Sequence, residues 1–213
     1  YVDVDMNQDM QAFADTLTIA GIPVEQVEYW GNEIKNVVTG KILKIEKHPD
    51  ADHLVICQID VGTEQLQIVT GAANVREGQI VPVAVHGAHL PGGVKIKRSK
   101  LRGVPSNGML CSAHELGFDD SVLLPKEREG IWILPADTPV GVDAVDYLKL
   151  KDVVYEYELT ANRADCFSMV GLSREFAVLS GKEARYPEIT VKESDETIDG
   201  KVQISIDDEE LCN

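Results

Sequence analysis

Aromatic residues are missing from the middle of this sequence: residues 31–117 contain no Phe, Tyr or Trp. Short β-branched runs separated by turn residues fill the same stretch, as they do in small all-β barrels. The core of such a barrel must then consist of Val, Ile and Leu. Proteins that hold single-stranded nucleic acid usually stack its bases on aromatic rings, so the composition also disfavours that kind of binding.

Closely spaced cysteines and long apolar runs are missing as well. The four cysteines form no CxxC pair and no disulfide framework, so we interpret them as reduced thiols: Cys57, Cys111, Cys166 and Cys212. No apolar run approaches the roughly 20 residues of a membrane span, and the first residues do not resemble a signal peptide. We expect a soluble, cytoplasmic protein with no membrane partner. Because the chain lacks an initiator Met and an obvious C-terminal stop, we expect a fragment.

Acidic residues are absent from residues 78–114, although the chain carries a formal net charge of −16. Within this stretch lies a basic segment, residues 95–102, with five positive charges: Lys95, Lys97, Arg98, Lys100 and Arg102. The rest of the chain sums to −21, so the basic segment attracts nucleic acid while the remainder repels it. These five are our candidate contacts to nucleic-acid phosphates, with lesser candidates at Arg76, Ser106 and Asn107.

The pattern of the basic segment predicts a strand that alternates its side chains. Lys95 and Lys97 would point to one face and Arg98 to the other. A solvated strand face is the alternative interpretation of any charge run. The acid-free surroundings favour an anion site, and the missing rings favour recognition of phosphates and shape, as in a structured RNA.

Motifs for catalysis and for metal binding are not found. The Gly-Lys pairs lack the other residues of a P-loop, and residues 103–108 match a nucleophile elbow only loosely. The five histidines, including the His86-x-x-His89 pair, have no Cys or carboxylate partner at ligand spacing. We therefore predict no catalytic residue and no metal, and we expect the fragment to bind no cofactor.

The hydrophobic pattern predicts a helix, a barrel and a second helix. The first helix is capped by Asn7, ends near Ala20 and is followed by Gly21. Five predicted strands fit an OB-type Greek-key barrel; they span residues 37–45, 54–61, 66–70, 80–85 and 109–112, with Pro82 at an edge or bulge. After the barrel, the sequence predicts a short helix near 113–117, a linker at 134–141 and a strand at 153–159. The second helix is predicted to run from Asp165 or Ser168 to Gly181, with Met169, Leu172, Phe176 and Leu179 on its apolar face. A last strand is predicted at 202–206.

Two groups of motifs resemble known families. The runs KHPDADHL at 47–54, KLRGV at 100–104 and SNGMLC at 106–111 resemble the tRNA-binding OB domain shared by several synthetase-associated proteins. The run LTANRADC at 159–166, continuing into GLSRE at 171–175, is similar to the segment after the OB domain in the bacterial phenylalanyl-tRNA synthetase beta-subunit family. Ala161 stands where that family often has Pro, which should alter a turn but not the resemblance.

The resemblance implies an α+β multidomain architecture. A five-stranded OB-fold β-barrel at 37–147 would be inserted into a small discontinuous α+β domain of residues 1–36 and 148–190, and residues 191–213 would start the next domain. It also implies a parent enzyme, a class II aminoacyl-tRNA synthetase. That enzyme is an alpha2-beta2 heterotetramer that uses ATP and Mg²⁺ to attach phenylalanine to its tRNA, with the aminoacylation centre in the alpha subunit.

The role implied for this chain is auxiliary tRNA binding and scaffolding within such a beta subunit. Asn162, Arg163 and Asp165 carry over as motif residues, which we interpret as structural or interface groups. A protein-docking module that braces synthetase subunits, or a free-standing tRNA-binding OB protein, are the alternatives.

Overall fold

The structure, a computed structural model, describes residues 1–5 and 7–207. They divide into two compact units, one of Asn7–Glu158 and one whose described residues are 1–5 and 159–207. In chain order the helices and strands are α1 (Met10–Ile19), β1 (Val24–Trp30), β2 (Lys35–Lys47), β3 (Val55–Asp60), β4 (Gln65–Thr70), β5 (Ile80–Leu90), β6 (Val94–Lys95), β7 (Ser99–Leu101), β8 (Val104–Ser106), β9 (Gly108–Leu110), α2 (Ala144–Tyr147), β10 (Asp152–Tyr157) and α3 (Met169–Ser180). No helix in this described part is long and apolar enough to cross a membrane.

Six antiparallel strands form a nearly closed barrel. The sheet runs in the order β4-β3-β2-β5-β6, and β9 pairs with β5. The barrel closes between β4 and the start of β9, where the Asn107 N–H donates to the Gln67 carbonyl at 2.9 Å. This arrangement confirms the predicted OB-fold within an α+β chain, and β2, β3, β4, β5 and β9 correspond to the five predicted strands.

The barrel interior is aliphatic, as the sequence predicts. Its largest cluster of buried residues contains no ring: Ile42, Cys57, Ile59, Val61, Leu66, Ile68, Val75, Val81, Val83, Leu110 and Ile131. Rings enter a second buried cluster, where Phe118 and Trp132 make an edge-to-face contact with centroids 5.1 Å apart. Both rings come from residues beyond position 117, so the 31–117 stretch itself is packed without aromatics.

Pro82 lies inside β5, and the prediction of an edge or a bulge there is wrong. It is opposite Thr39 of β2, and on its other side its carbonyl accepts from the Cys111 N–H at 3.0 Å. A proline cannot donate to the neighbouring Cys111 carbonyl, but the Trp132 N–H does so at 3.0 Å. The proline is tolerated because a segment outside the ladder supplies the missing donor.

Residues 134–141, predicted as a linker, are bound to the barrel instead. The Leu134 N–H donates to the Ile80 carbonyl at 2.8 Å, and the Gly141 N–H donates to the Thr39 carbonyl at 2.8 Å. Leu134 is also buried. The proline and glycine content of this segment therefore reflects a tight path over β2 and β5 rather than a free connection.

The side chain of Asp9, not Asn7, caps α1. Its carboxylate accepts from the N–H groups of Gln11 and Ala12 at 3.0 and 3.1 Å. The helix stops before Gly21, whose φ of +91° confirms the predicted left-handed C′ position. The apolar residues of this helix are buried: Met10, Phe13, Ala14 and Leu17.

β1 and β10 form a separate two-stranded antiparallel sheet. The Tyr155 hydroxyl donates to the Met10 carbonyl at 2.8 Å, which joins this sheet to α1. Parts of residues 1–36 and 148–190 thus lie together, while the boundary between the compact units falls after residue 158. The discontinuous domain with its stated limits stays a prediction.

In the second unit, α3 begins and ends close to the predicted positions, but its predicted apolar face is only partly buried. The Ser168 hydroxyl accepts from the Gly171 N–H at 3.0 Å, and Gly181 follows the last turn with a φ of +66°. The buried residues of α3 are small: Gly171, Ser173 and Ala177. Met169, predicted on the apolar face, is 64% exposed. A Cβ at Gly171 would lie 1.9 Å from the Asp165 carbonyl oxygen, so close backbone approach rather than large apolar residues sets this packing.

The predicted strand at 202–206 is wrong, because these residues are exposed and adopt no regular structure. Cys57, Cys111 and Cys166 are buried free thiols. Cys212 lies outside the described residues.

Candidate nucleic-acid interface

The basic segment is not one strand. β6 ends at Lys95, and the following residues leave the barrel through a short connection into the β7–β8 hairpin. Ile96 still belongs to the sheet edge, since its N–H donates to the Ala88 carbonyl at 2.9 Å. The Arg98 N–H then donates to Nδ1 of His86 at 3.2 Å. The predicted alternation over residues 95–99 is therefore replaced by a strand end, a connection and a hairpin.

All five cationic side chains of the basic segment are exposed. Within the described residues, none of them makes an ion pair or a side-chain hydrogen bond. Some lysines elsewhere are paired: Lys44 pairs with Glu46 at 2.7 Å, and Lys151 pairs with Asp146 at 2.8 Å. The basic segment consequently offers its positive charges to an external anion.

A two-residue turn forms the tip of the β7–β8 hairpin. Leu101 is paired with Val104, and the turn consists of Arg102 and Gly103 with φ values of +44° and +86°. Positive φ at both positions is typical of a type I′ turn, whose twist matches that of a hairpin. The turn directs Arg102 away from the barrel wall, where the residue is exposed.

His48 holds one strand of the hairpin. Its Nδ1 accepts from the Asp50 N–H at 3.1 Å, so the ring proton lies on Nε2, which donates to the Leu101 carbonyl at 3.1 Å. The side chain is 5% exposed. Sequence reasoning considered this histidine only as a metal ligand; its position in the KHPDADHL run was the available signal of a specific role.

The other strand of the hairpin is attached to β4. The Gln67 side chain donates to the Pro105 carbonyl at 2.7 Å. The Ser106 hydroxyl, 1% exposed, accepts from the Val69 N–H and donates to the Gly108 carbonyl, both at 3.1 Å. Ser106 and Asn107, lesser candidates for tRNA contact, thus take part in closing the barrel.

Arg76 lies outside the basic segment, in the loop between β4 and β5. Its Nη1 donates to the carbonyls of Ala73 and Val75 at 3.1 and 2.7 Å. Arg76 is exposed, so the other nitrogens of its guanidinium group face solvent. The structure therefore brings the five main candidates together along one stretch and places Arg76 on a separate loop.

The motif residues of the second unit form a compact charge cluster. Nη2 of Arg163 lies 3.2 Å from the Asp165 carboxylate and 2.7 Å from that of Glu175 in α3. The hydrogen bond from Arg163 lowers the pKa of the Asp165 carboxyl. The same guanidinium group donates to Sγ of Cys166 at 3.1 Å, and Asn162 is exposed. These contacts tie the turn at Ala161–Phe167 to α3.

Histidine, cysteine and carboxylate groups do not gather into a metal site. No three of them come together in a way that could hold an ion among residues 1–5 and 7–207. His86 uses its Nδ1 to accept the Arg98 N–H instead.

A family model described as "Putative tRNA binding domain" matches residues 37–143. The matched residues begin in β2 and end just before α2. They include the whole barrel wall, His48 and the basic segment.

Relatives match the chain over its full length or nearly so. It is 51% identical to the phenylalanine–tRNA ligase beta subunit of Moorella thermoacetica over 212 residues, which cover 100% of this chain and 26% of the relative. It is 47% identical to the corresponding subunit of Clostridium acetobutylicum over 214 residues, with the same two coverages. For the Clostridium tetani subunit the identity is 50% over 187 residues, 87% of this chain and 23% of the relative. The chain spans about a quarter of the length of these curated relatives.

Proposed function

Because the chain belongs to the family of tRNA-binding domains, we propose that it is the tRNA-binding and scaffolding region of the beta subunit of a phenylalanine–tRNA ligase. The observation that carries this proposal is the basic segment, whose five exposed cations have no partner in the described part of the chain. They lie on a barrel with an aliphatic interior in a molecule of net charge −16.

The charge distribution supports recognition of tRNA through its phosphates. Long-range repulsion from the acidic remainder limits binding to an orientation in which the basic segment faces the RNA. With no ring in residues 31–117, the barrel lacks the platforms on which unpaired bases stack. A folded RNA, read by backbone and shape, is the ligand that fits this surface.

The parent enzyme belongs to the same proposal. It would be a cytoplasmic class II alpha2-beta2 ligase that uses ATP and Mg²⁺ to charge tRNA with phenylalanine, with its reaction centre in the alpha subunit. In that assembly residues 37–147 act as the RNA-binding barrel. The pairing of β1 with β10 supports a flanking domain built from residues 1–36 and 148–190, followed by a further domain from residue 191. Asn162, Arg163 and Asp165 are assigned to structure or to a subunit interface.

The proposal is tested by measuring the affinity of the chain for a tRNA(Phe) transcript between 50 and 200 mM salt. If about five phosphates are neutralised, affinity falls by roughly two orders of magnitude over this range. The triple variant Lys95→Glu, Lys97→Glu, Lys100→Glu should abolish binding. Its matched control, Lys41→Glu, Lys126→Glu, Lys192→Glu, changes the net charge equally at exposed positions outside the basic segment. Salt-independent binding, or equal loss in both variants, contradicts the proposal.

A protein-docking module is the competing function, in which the basic segment meets an acidic surface of the alpha subunit. Pull-down of tRNA and of the alpha subunit by the same immobilised chain separates the two. Retention of the subunit alone, with tRNA washed through at 50 mM salt, favours docking.

A further inference from the structure

Arg102 differs from the other four cations of the basic segment in its backbone. Only three non-glycine residues among those the structure describes have a positive φ, and Arg102 is one of them, at +44°. Its neighbours in the basic segment lie in β6, in β7 or in the connection between them with ordinary φ values. The tip of the hairpin is therefore occupied by a residue that its turn does not favour.

A type I′ turn normally places Asn, Asp or Gly at this position. Asn tolerates the left-handed region, whereas a long side chain with an ordinary Cβ is strained there. Strained residues of this kind persist where the surrounding structure imposes them, and they are concentrated at ligand contacts. No hydrogen bond or ion pair in the described residues accounts for the Arg102 side chain, so its own fold does not explain its presence.

Both strands of the hairpin are held close to its turn. His48 fixes the Leu101 carbonyl on one strand, and Gln67 fixes the Pro105 carbonyl on the other. Arg102 and Gly103 complete the turn between these two fixed points. The backbone that carries Arg102 is thus held in place, which reduces the backbone entropy lost when the residue meets a ligand.

Guanidinium chemistry defines what such a tip can recognise. Its planar fork donates two parallel hydrogen bonds to a matched pair of acceptors, such as guanine O6 and N7 or two phosphate oxygens. A lysine ammonium group provides the same charge but no fork. We propose that Arg102 is the specificity-determining contact of the interface: it holds one planar pair of acceptors on folded RNA, while Lys95, Lys97, Arg98 and Lys100 neutralise phosphates. This inference rests on the proposed function and adds a distinct role within it.

The test compares Arg102→Lys with Lys41→Arg in the complete chain. Both keep the charge, and Lys41 is an exposed residue of β2 outside the basic segment. Affinity is measured by titration against a tRNA(Phe) transcript and against poly(U) over a range of salt. We expect Arg102→Lys to weaken tRNA binding by about tenfold or more, with poly(U) binding and the salt slope unchanged. Lys41→Arg should leave both affinities unchanged.

A second variant separates binding from folding. Arg102→Asn relieves the turn, so its melting temperature should be equal to or higher than that of the unmodified chain, while its tRNA affinity falls. A residue that served only the hairpin structure would not give these opposite effects. A lower melting temperature together with unchanged affinity overturns the inference.

Chemical interference distinguishes the two sources of paired acceptors. Methylation of one guanine N7, or ethylation of one phosphate, should block binding by the unmodified chain but not by Arg102→Lys. Interference by N7 methylation identifies the edge of a base as the acceptor pair, and interference by ethylation identifies two phosphate oxygens. Either result supports the inference. Identical affinities and identical interference patterns for both chains overturn it. If the unmodified chain retains no tRNA at 50 mM salt, the proposed function fails as well.

Discussion

His48 is a buried side chain that positions an exposed functional surface. Its ring bridges the corner after β2 and the β7–β8 hairpin, with each nitrogen in one hydrogen bond. Neither bond contributes charge to the basic segment. What His48 contributes is the location of the hairpin, and hence of Lys100 and Arg102.

His48→Ala should loosen the hairpin and weaken tRNA binding in a characteristic way. Loss of the ring removes the hydrogen bonds to the Asp50 N–H and the Leu101 carbonyl, each of which contributes about 0.5–1.5 kcal/mol. With Lys100 and Arg102 no longer held in place, the slope of log affinity against log salt should fall by about 0.9 for each of them. Urea unfolding and salt titration of tRNA affinity measure the two effects.

Replacement by glutamine is the control for this prediction. Its side-chain amide can donate to the Leu101 carbonyl as Nε2 of His48 does, so His48→Gln should recover much of the salt slope. A loss of stability in His48→Ala with an unaltered slope would mean that the histidine serves the fold alone.

The buried thiols allow a prediction about reactivity. Burial raises the pKa of Cys57 to about 11 and that of Cys111 to about 12, from an ordinary value of about 9. Because only the thiolate reacts, a rise of two pKa units slows alkylation at pH 8 by about 100-fold relative to unfolded chain. Iodoacetamide labelling followed by mass spectrometry reads each cysteine separately, with the same reaction in urea as the control. Rapid native labelling of either residue would contradict the buried assignment.

The same two thiols affect stability at high pH. In the folded chain they keep their protons to a higher pH than in the unfolded chain. Their contribution is complete below about pH 9 and is lost as the pH rises through the folded pKa values of about 11 and about 12, so the free energy of unfolding should fall over that interval. Cys57→Ala combined with Cys111→Ala should reduce this fall.

At the scale of elements, helix α3 depends on a close backbone contact. Gly171 lies against the Asp165 carbonyl, where a methyl group has no room. The contact joins the helix to the turn that carries Arg163. Small residues on the buried face therefore decide how α3 packs, although its large apolar residues dominate the sequence pattern.

Gly171→Ala should destabilise the second unit although alanine favours helices. The gain in helix propensity is about 1 kcal/mol, whereas overpacking of a close contact costs about 1–3 kcal/mol and displaces the neighbouring backbone. We expect a lower melting temperature and less helical circular dichroism. Val178→Ala, at a position 78% exposed on the same helix, is the control and should change neither by much. A stabilised Gly171→Ala chain would contradict the packing described.

The β7–β8 hairpin illustrates a second effect at this scale. Its strands are only three residues each, and such a hairpin is marginal by itself in water. Bonds from His48 and from β4 hold it in place, which turns a weak local structure into a defined surface. This explains why the basic segment folds as a hairpin although its charge pattern predicts a continuous strand.

For the whole molecule, we expect the contrast between one basic segment and an acidic remainder to determine which polyanions bind. The remainder of −21 repels RNA that approaches from other directions. An aliphatic barrel adds no stacking energy for unpaired bases. The remaining sources of affinity are the shape of the RNA and the spacing of its phosphates.

We therefore expect folded RNA to compete better than unpaired RNA. At equal nucleotide concentration and low salt, a tRNA(Phe) transcript should displace labelled tRNA at least about tenfold more effectively than poly(U). The reason is that poly(U) finds no aromatic side chains on which to stack, and each missing base–aromatic contact removes about 1–3 kcal/mol of binding free energy. Competition filter binding gives the ratio. Equal competition, or stronger competition by poly(U), would point to a base-binding surface that the barrel does not account for.

The sequence alone predicted the barrel, its aliphatic core and the position of the basic segment. Those features depend on patterns along the chain: alternating β-branched residues, turn residues and local charge. The same holds for the ends of α1 and α3, where glycines take the left-handed position. The strand at 202–206 failed because a favourable local pattern needs a neighbouring strand to pair with.

Tertiary structure decided the features that depend on residues far apart in sequence. Trp132 satisfies the acceptor opposite Pro82, residues 134–141 bind to β2 and β5, and His48 reaches the hairpin across 53 positions. Each is a hydrogen bond whose partner no local pattern specifies. The charges of the interface can therefore be recognised in the sequence, but the rigid hairpin that presents Arg102 exists only because the folded barrel supplies partners for its backbone.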